Sequence, residues 1–255
     1  MSRYPKDGKE FPSVTEIIGD CTDKSKALVP WAANCACDYI KNELLDSEGI
    51  LSTSIKNTLD VIESARTEFR TVSQKALDIG SLVHSMIEEY YKTNRKLYVV
   101  DFDDATPEVK KAWSAFMEWD AEYHPEILAT EETVYGRHIQ IETKTVRNLK
   151  NVLCQRPYGW AGTLDLRCIL KGEKTVIDFK TSKAMYMNEY RPQIAAYRSV
   201  FPNVTRSAIL RIDKITGIPE YKDVSKHYEH DLKTFHKMAD LYYHRHPRIA
   251  KKARL

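Results

Sequence analysis

GWAGTLDLRCILKGEKTVIDFKTSKAMYMNEYRPQIAAY, residues 159–197, holds two strand-like runs, a short turn between them and a helix-like run after them. VIDFK (176–180) has the short apolar character of a buried strand. Successive strand side chains alternate between faces, so Asp178 and Lys180 share one face while Ile177 and Phe179 share the other. Upstream, TLDLRCIL (163–170) alternates well enough for a second strand, and Lys171-Gly172-Glu173 supplies a connection suited to a hairpin. That hairpin brings Asp165 back towards Asp178. Two converging carboxylates favour hard divalent cations such as Mg²⁺ or Mn²⁺, which take oxygen ligands and keep waters that a phosphate displaces. Phosphodiester hydrolysis is the chemistry such a site predicts.

The helix-like run adds Gln193 and Tyr197, four residues apart and therefore on one helical face. Pro192 fits near a helix start or after a break, which leaves the start of this helix open. An amide hydrogen-bonds phosphate and an aromatic ring stacks on a base, as single-strand binding surfaces require. The plainer alternative makes Tyr197 half-buried in an amphipathic helix with Gln193 at its solvent edge.

Two further groups lie upstream. Residues 76–91 carry a core-facing stripe of Ala76, Ile79, Val83, Ile87 and Tyr90, and His84 borders it. A neutral imidazole there either reaches a cation at the sheet edge or finishes the packing with one hydrogen bond. Glu88, one turn on, either orients that ring or is simply solvated. ATEETVYG (129–136) reads as the first core strand, and its alternation favours Glu131 over Glu132 as an accessory acid; an exposed edge glutamate that discourages aggregation is the competing reading.

The order GTLD (162–165), DFK (178–180), QIAAY (193–197) resembles the PD-(D/E)XK nuclease superfamily, and specifically its RecB-type exonuclease branch, which includes the mitochondrial genome maintenance exonuclease and phage-encoded RecB-like nucleases. GSLVH (80–84) resembles that branch's histidine-bearing helix, and FPSVTEII (11–18) resembles its N-terminal segment. Leu164 stands where the superfamily name places proline. The resemblance implies an α/β, restriction-endonuclease-like core, a mixed central sheet flanked by helices. It implies Asp165, Asp178 and Lys180 as catalytic residues, and His84, Asp165 and Asp178 as metal ligands. It assigns DNA contacts to Gln193 and Tyr197. Some relatives in the branch carry an iron-sulfur cluster that needs three cysteines near the C-terminus, and no cysteine follows Cys168, so no cluster is expected.

Composition agrees with this reading without suggesting it. The 255 residues are 42% hydrophobic and 29% charged, enough for one elaborated domain with a sizeable core. A formal charge of only +3 means that any nucleic-acid signal must come from local clusters. Lys144 and Arg147, in a basic stretch ending at Lys150 and read as a loop, face phosphate or solvent. HRHPRIAKKARL (244–255) contains five lysines and arginines and no acid, and is either a phosphate-neutralising arm or a frayed tail. Five cysteines without paired metal-finger spacing, a charged start without an apolar leader and no bilayer-length apolar run lead us to expect an intracellular protein away from membranes, of phage or prokaryotic cytoplasmic origin.

Helical periodicity covers 27–45, 54–70, 76–93 and 107–123, the last with Trp113, Phe116 and Trp119 at core spacing; strands begin at Ile127, SAILRI (207–212) is another, and 228–245 closes as a helix. The expected organisation is a single nuclease domain over 1–255: a helical elaboration over 1–75, a catalytic core over 76–245 and a basic tail over 246–255. The expected activity is divalent-metal-dependent DNA exonuclease action, from free ends and with a preference for single strands, in DNA repair, recombination or replication. The competing readings are a DNA-end-binding recombination or replication factor on the same fold, and a structure-specific endonuclease.

Overall fold

A computed structural model describes the backbone of residues 3–46, 48–50, 55–96, 105–146 and 149–255, with side chains over 4–46, 48–50, 57–96, 105–139 and 157–255. The chain divides into two compact units, Met1–Thr22 with Val83–Leu255, and Asp23–Leu82. The larger begins with a hairpin, β1 (Arg3–Lys6) and β2 (Lys9–Pro12), followed by α1 (Val14–Cys21). FPSVTEII thus becomes a strand end and a capped helix, because the Ser13 hydroxyl accepts the Glu16 amide at 2.9 Å. The smaller unit contains α2 (Ser25–Leu44), α3 (Ile55–Ala65) and the first part of α4 (Glu68–Lys92). Its helices leave Leu28, Val29, Leu59 and Ile62 exposed, and Leu44 is the buried residue of α2. The break between its last two helices falls at Arg66-Thr67, so α4 starts earlier than the periodicity over 76–93 predicts.

In the larger unit, α5 (Pro107–Tyr123) matches its predicted limits for visible reasons. Thr106 caps its first turn, Pro107 needs no amide partner there, and His124 leaves the helix in the left-handed region at φ 44°. Five strands follow in spatial order β3 (Glu126–Val146), β4 (Leu149–Leu170), β5 (Glu173–Lys180), β6 (Arg206–Ile212) and β7 (Pro219–Asp223). All neighbours are antiparallel except β5 and β6, which α6 (Met187–Arg198) connects as parallel strands. A mixed sheet flanked by helices is the restriction-endonuclease-like architecture expected from the sequence. The β4–β5 turn works because Gly172 takes φ 81°, a conformation that costs glycine little. Among the described residues no helix is long and apolar enough to cross a membrane.

Three expectations are corrected. The basic stretch 144–150 is strand on both sides, to Val146 and from Leu149, because each arm of the β3–β4 hairpin supplies the other's hydrogen bonds whatever its polarity. Pro192 lies inside α6 rather than near its start. The tail is not frayed: after α7 (Tyr228–Arg245), residues 247–252 form α8 (Pro247–Lys252), Ala250 and Ala253 are buried, and the Gly159 amide donates to Ala253 O at 2.8 Å. Of the five basic groups, Arg245 pairs with Asp20 and Lys252 with Glu10.

The core lies where α1, α6 and α7 cover the sheet, around Trp160, Leu164, Ile194, Tyr197 and Phe235. Val176, Ile177 and Phe179 of β5 are at most 2% exposed, and burying each such side chain contributes about 1.5–3 kcal/mol. This rigid strand is what presents Asp178 and Lys180.

Candidate active site

The ladder between β4 and β5 runs from Leu170↔Glu173 to Leu166↔Ile177 and stops there, while β4 continues against β3. One residue past this fork stand Asp165 and Asp178. Asp165 Oδ2 accepts the Phe179 amide at 2.5 Å, a donor that the ended ladder leaves over. Its other oxygen lies 3.5 Å from His84 Nδ1. The same nitrogen is 3.5 Å from Glu131 Oε1. Ligand atoms of His84, Glu131 and Asp165 all fall within 4.8 Å of one another, the compass of a single cation.

Each of the three is delivered by a different element. Asp120 of α5 is buried and accepts Tyr91 OH at 2.8 Å, Tyr90 OH at 3.3 Å and Arg95 Nε at 3.2 Å, which fastens the His84 end of α4 to α5. The His84 ring then packs edge-on against Phe179, centroids 6.0 Å apart. Glu131 sits between the pairs Thr130↔Leu166 and Glu132↔Leu164, level with Asp165, in the left-handed region at φ 46°. A non-glycine residue held there costs about 1–3 kcal/mol and marks a place where surroundings over-determine the backbone. Glu132 points elsewhere and binds Arg167 at 2.8 Å. Glu88 pairs with Lys92 at 2.5 Å and takes no part in orienting His84.

Asp178 belongs to a second, tighter group. Its Oδ1 accepts Gln193 Nε2 at 3.0 Å, and its Oδ2 lies 2.6 Å from Lys180 Nζ, outside hydrogen-bond geometry. Lys180 Nζ also donates to Gln193 Oε1 at 3.2 Å and sits 4.9 Å above the Tyr190 ring. Tyr190 is the participant that the sequence reading missed. Its signal was its place three residues before Gln193, which puts both on one helical face.

Gln193 and Tyr197 are inside the protein rather than on a binding surface, 7% and 2% exposed. Gln193 Nε2 reaches Tyr197 OH at 3.4 Å. A Cβ on Gly162 would meet the Tyr197 ring at 2.5 Å, so the glycine of GTLD is what admits this tyrosine. Tyr197 thus lies beneath Gln193 and fills the space above Gly162. Lys144 lies in β3 where side chains fall outside the described residues, and Arg147 lies outside them altogether.

The electrostatics separate the two groups. Burial works against a charged His84, but Asp165 and Glu131 outweigh it and raise its pKa to about 10. Burial likewise penalises ionised Asp165, yet His84, Lys180 and the Phe179 amide hold it below the usual carboxylate range. Asp178 goes the other way: burial pushes it up, Asp165 adds to that, and Lys180 only partly compensates. A cation fits this donor set. Two carboxylates and an imidazole converge, and the buried Asp178 Oδ2 has no hydrogen bond among the described residues.

Comparison with known proteins bears on the same segment. A family profile described as the PD-(D/E)XK nuclease superfamily matches residues 58–252, more than half the chain. No curated protein matches. Among solved structures, the crystal structure of SSO0001 is similar at 14% identity with a TM-score of 0.30. The match covers 53% of this chain and 57% of the length of that one, too distant to bear on fold or function. The profile spans the helix of His84, the β4–β5 fork and the helix of Gln193, and by that match the chain belongs to the PD-(D/E)XK nuclease superfamily, whose members cut nucleic acid with divalent metals.

Proposed function

We propose that this protein is a divalent-metal-dependent DNA exonuclease of the RecB-type branch, working from free ends with a preference for single strands. The observation that carries the nuclease reading is the fork, where His84, Glu131 and Asp165 converge beside the Asp178–Lys180 pair. The exonuclease mode rests on the order GTLD, DFK, QIAAY after a histidine helix. An intracellular role in DNA repair, recombination or replication, in a phage or prokaryotic setting, goes with that branch.

His84, Glu131 and Asp165 would hold Mg²⁺ or Mn²⁺, with Asp178 as the further oxygen donor. When bound, the cation supplies a Lewis acid for the scissile phosphate and lowers the pKa of a coordinated water. The chain's own residues do the rest. Asp178 and Gln193 fix the Lys180 ammonium, a point charge that stabilises negative charge developing at the phosphate. The Tyr190 ring closes the apolar side of that ammonium. His84 chiefly, with Lys180 and the Phe179 amide, keeps Asp165 ionised against its burial, and the amide holds one of its oxygens in place.

Digestion of linear single-stranded, linear duplex and circular single-stranded DNA, with each end labelled separately, tests this. With Mg²⁺ or Mn²⁺ we expect progressive loss of linear single strands from an end, intact circles, and full inhibition by EDTA. Cleavage of circles overturns the exonuclease mode, and no metal-dependent cleavage of any substrate overturns the nuclease reading in favour of an end-binding factor.

A further inference from the structure

Strand β3 and helix α7 meet at a pair of imidazoles, His138 lying seven residues beyond Glu131, or about 23 Å along the strand. His138 is 4% exposed and holds Nε2 2.7 Å from Asp240 Oδ1. An ionised carboxylate can only accept, so Nε2 carries the proton and Nδ1 of the neutral ring is an unprotonated lone pair. Nδ1 is buried and has no hydrogen-bond partner among the described residues. An unmet buried acceptor is costly, which makes a missing ligand the economical reading of the site.

The ring packed against His138 is that of His236. Its ring centroid lies 4.9 Å from that of His138, with the planes tilted by 40°. Two imidazoles bound to one tetrahedral ion through metal–nitrogen bonds of about 2.1 Å hold their centroids about 5 Å apart. The observed spacing of 4.9 Å is close to that of two imidazoles sharing an ion. His236 and Asp240 are four residues apart on one face of α7. Asp240 already occupies the place of the carboxylate that orients a metal-bound histidine.

We propose that His138 Nδ1 and His236 form a second metal site, for a transition ion that prefers imidazole, such as Zn²⁺ or Ni²⁺. Asp240 sets the His138 tautomer, and water completes the coordination. The two centres then sort ions by donor chemistry, since Mg²⁺ and Mn²⁺ prefer oxygen. The ion clamps β3, which carries Glu131, to α7, which itself grips α6 through the paired Asp231–Arg191 contacts at 2.7 and 2.9 Å.

The test uses the full chain with His84→Gln and Asp165→Asn, which removes the nuclease centre from the count. Zn²⁺ content after dialysis and affinity by titration calorimetry are measured, with circular dichroism to verify folding. The expected result is one bound Zn²⁺, undisturbed by excess Mg²⁺. His236→Asn in this background should weaken it at least tenfold, and Asp240→Asn by about tenfold, the usual effect of losing an orienting partner. His236 is only partly buried, so its replacement tests the site even if His138→Asn fails to fold. Absence of Zn²⁺ binding in the background protein overturns the proposal. So does an affinity that His236→Asn leaves unchanged, the behaviour of Zn²⁺ held by cysteines instead.

Discussion

His84, Glu131 and Asp165 approach one another loosely, the imidazole 3.5 Å from each carboxylate, whereas Asp178, Lys180 and Gln193 are drawn together at 2.6–3.2 Å. The loose group keeps His84 and Glu131 about a quarter exposed, while Asp178 is 1% exposed. Convergence without contact is what a set of ligands looks like around a space meant for an ion. Close approach at these distances is what a group looks like when its charge must stay in one place. Asp165 and Asp178, adjacent across the end of the ladder, have pKa values pushed in opposite directions, Asp165 down chiefly by His84 and Asp178 up by burial.

The largest effect should come from breaking the closed group at its centre. Asp178→Ala removes the oxygens that Lys180 and Gln193 share, and we expect DNA cleavage to fall on the order of 10³-fold, in line with the loss of one preorganised charge-stabilising element. Initial rates under saturating Mg²⁺ measure it. A rate within tenfold of the parent would show that the closed group is scaffolding and that the loose group alone performs the chemistry.

Stability offers the next comparison. Lys180→Met strands a buried carboxylate, and removal of one partner of a buried pair costs about 3 kcal/mol. Asp178→Leu combined with Lys180→Met removes both charges and should recover most of that loss while remaining inactive. Urea unfolding of the two variants distinguishes them. Equal midpoints would mean that Lys180 contributes nothing to the folded state beyond its side-chain volume.

In the loose group the sharper probe is the backbone of Glu131. Glu131→Gly and Glu131→Ala both delete the carboxylate, so both should weaken Mn²⁺ binding to the same degree. They differ at φ 46°, where a side chain costs about 1–2 kcal/mol that glycine does not. The glycine variant should therefore be the more stable by about 1 kcal/mol. Identical denaturation midpoints would remove strain from the description of this site.

The closed group was largely legible in sequence, and the loose group much less so. VIDFK announces a buried strand, and alternation alone puts Asp178 and Lys180 on one side of it. The turn at Gly172 and the cap at Thr106 are local signals; α5 has its predicted limits and β4 ends at the predicted Leu170, though it begins at Leu149 rather than Thr163. Alternation favours Glu131 over Glu132, and Glu131 is the one that meets His84, although its left-handed backbone breaks the regular alternation that the choice assumes. Lys144 to Lys150 misleads because strand formation there depends on a partner arm, and polarity is no guide when the ladder supplies the hydrogen bonds. The docked tail is silent in sequence because its contacts are small, Ala250 and Ala253 together with backbone groups. The residues by themselves show His84 as bordering an apolar stripe, and its part as a ligand comes from the resemblance of GSLVH to a histidine-bearing helix. What brings His84 to Asp165 is Asp120, a buried carboxylate thirty-six residues later whose partners are Tyr90, Tyr91 and Arg95.

The smallest expected effect lies one step behind the closed group. Tyr197 touches neither Asp178 nor Lys180 through a hydrogen bond; it accepts one from Gln193 Nε2 at 3.4 Å, near the limit for such a bond. Tyr197→Phe keeps the ring that fills the space above Gly162 and deletes only the hydroxyl. Loss of so long a bond should cost about 0.5–1 kcal/mol of stability. Because Gln193 Nε2 retains Asp178 Oδ1 at 3.0 Å, the amide has little reason to turn, and cleavage should fall by a few-fold in rate with unchanged affinity for single-stranded DNA. Fluorescence anisotropy with an uncleaved oligonucleotide in Ca²⁺ measures that affinity. A large loss of binding with an unchanged rate would return Tyr197 to the DNA surface, and with it the difference between a group that meets substrate and a group that holds the residues that do.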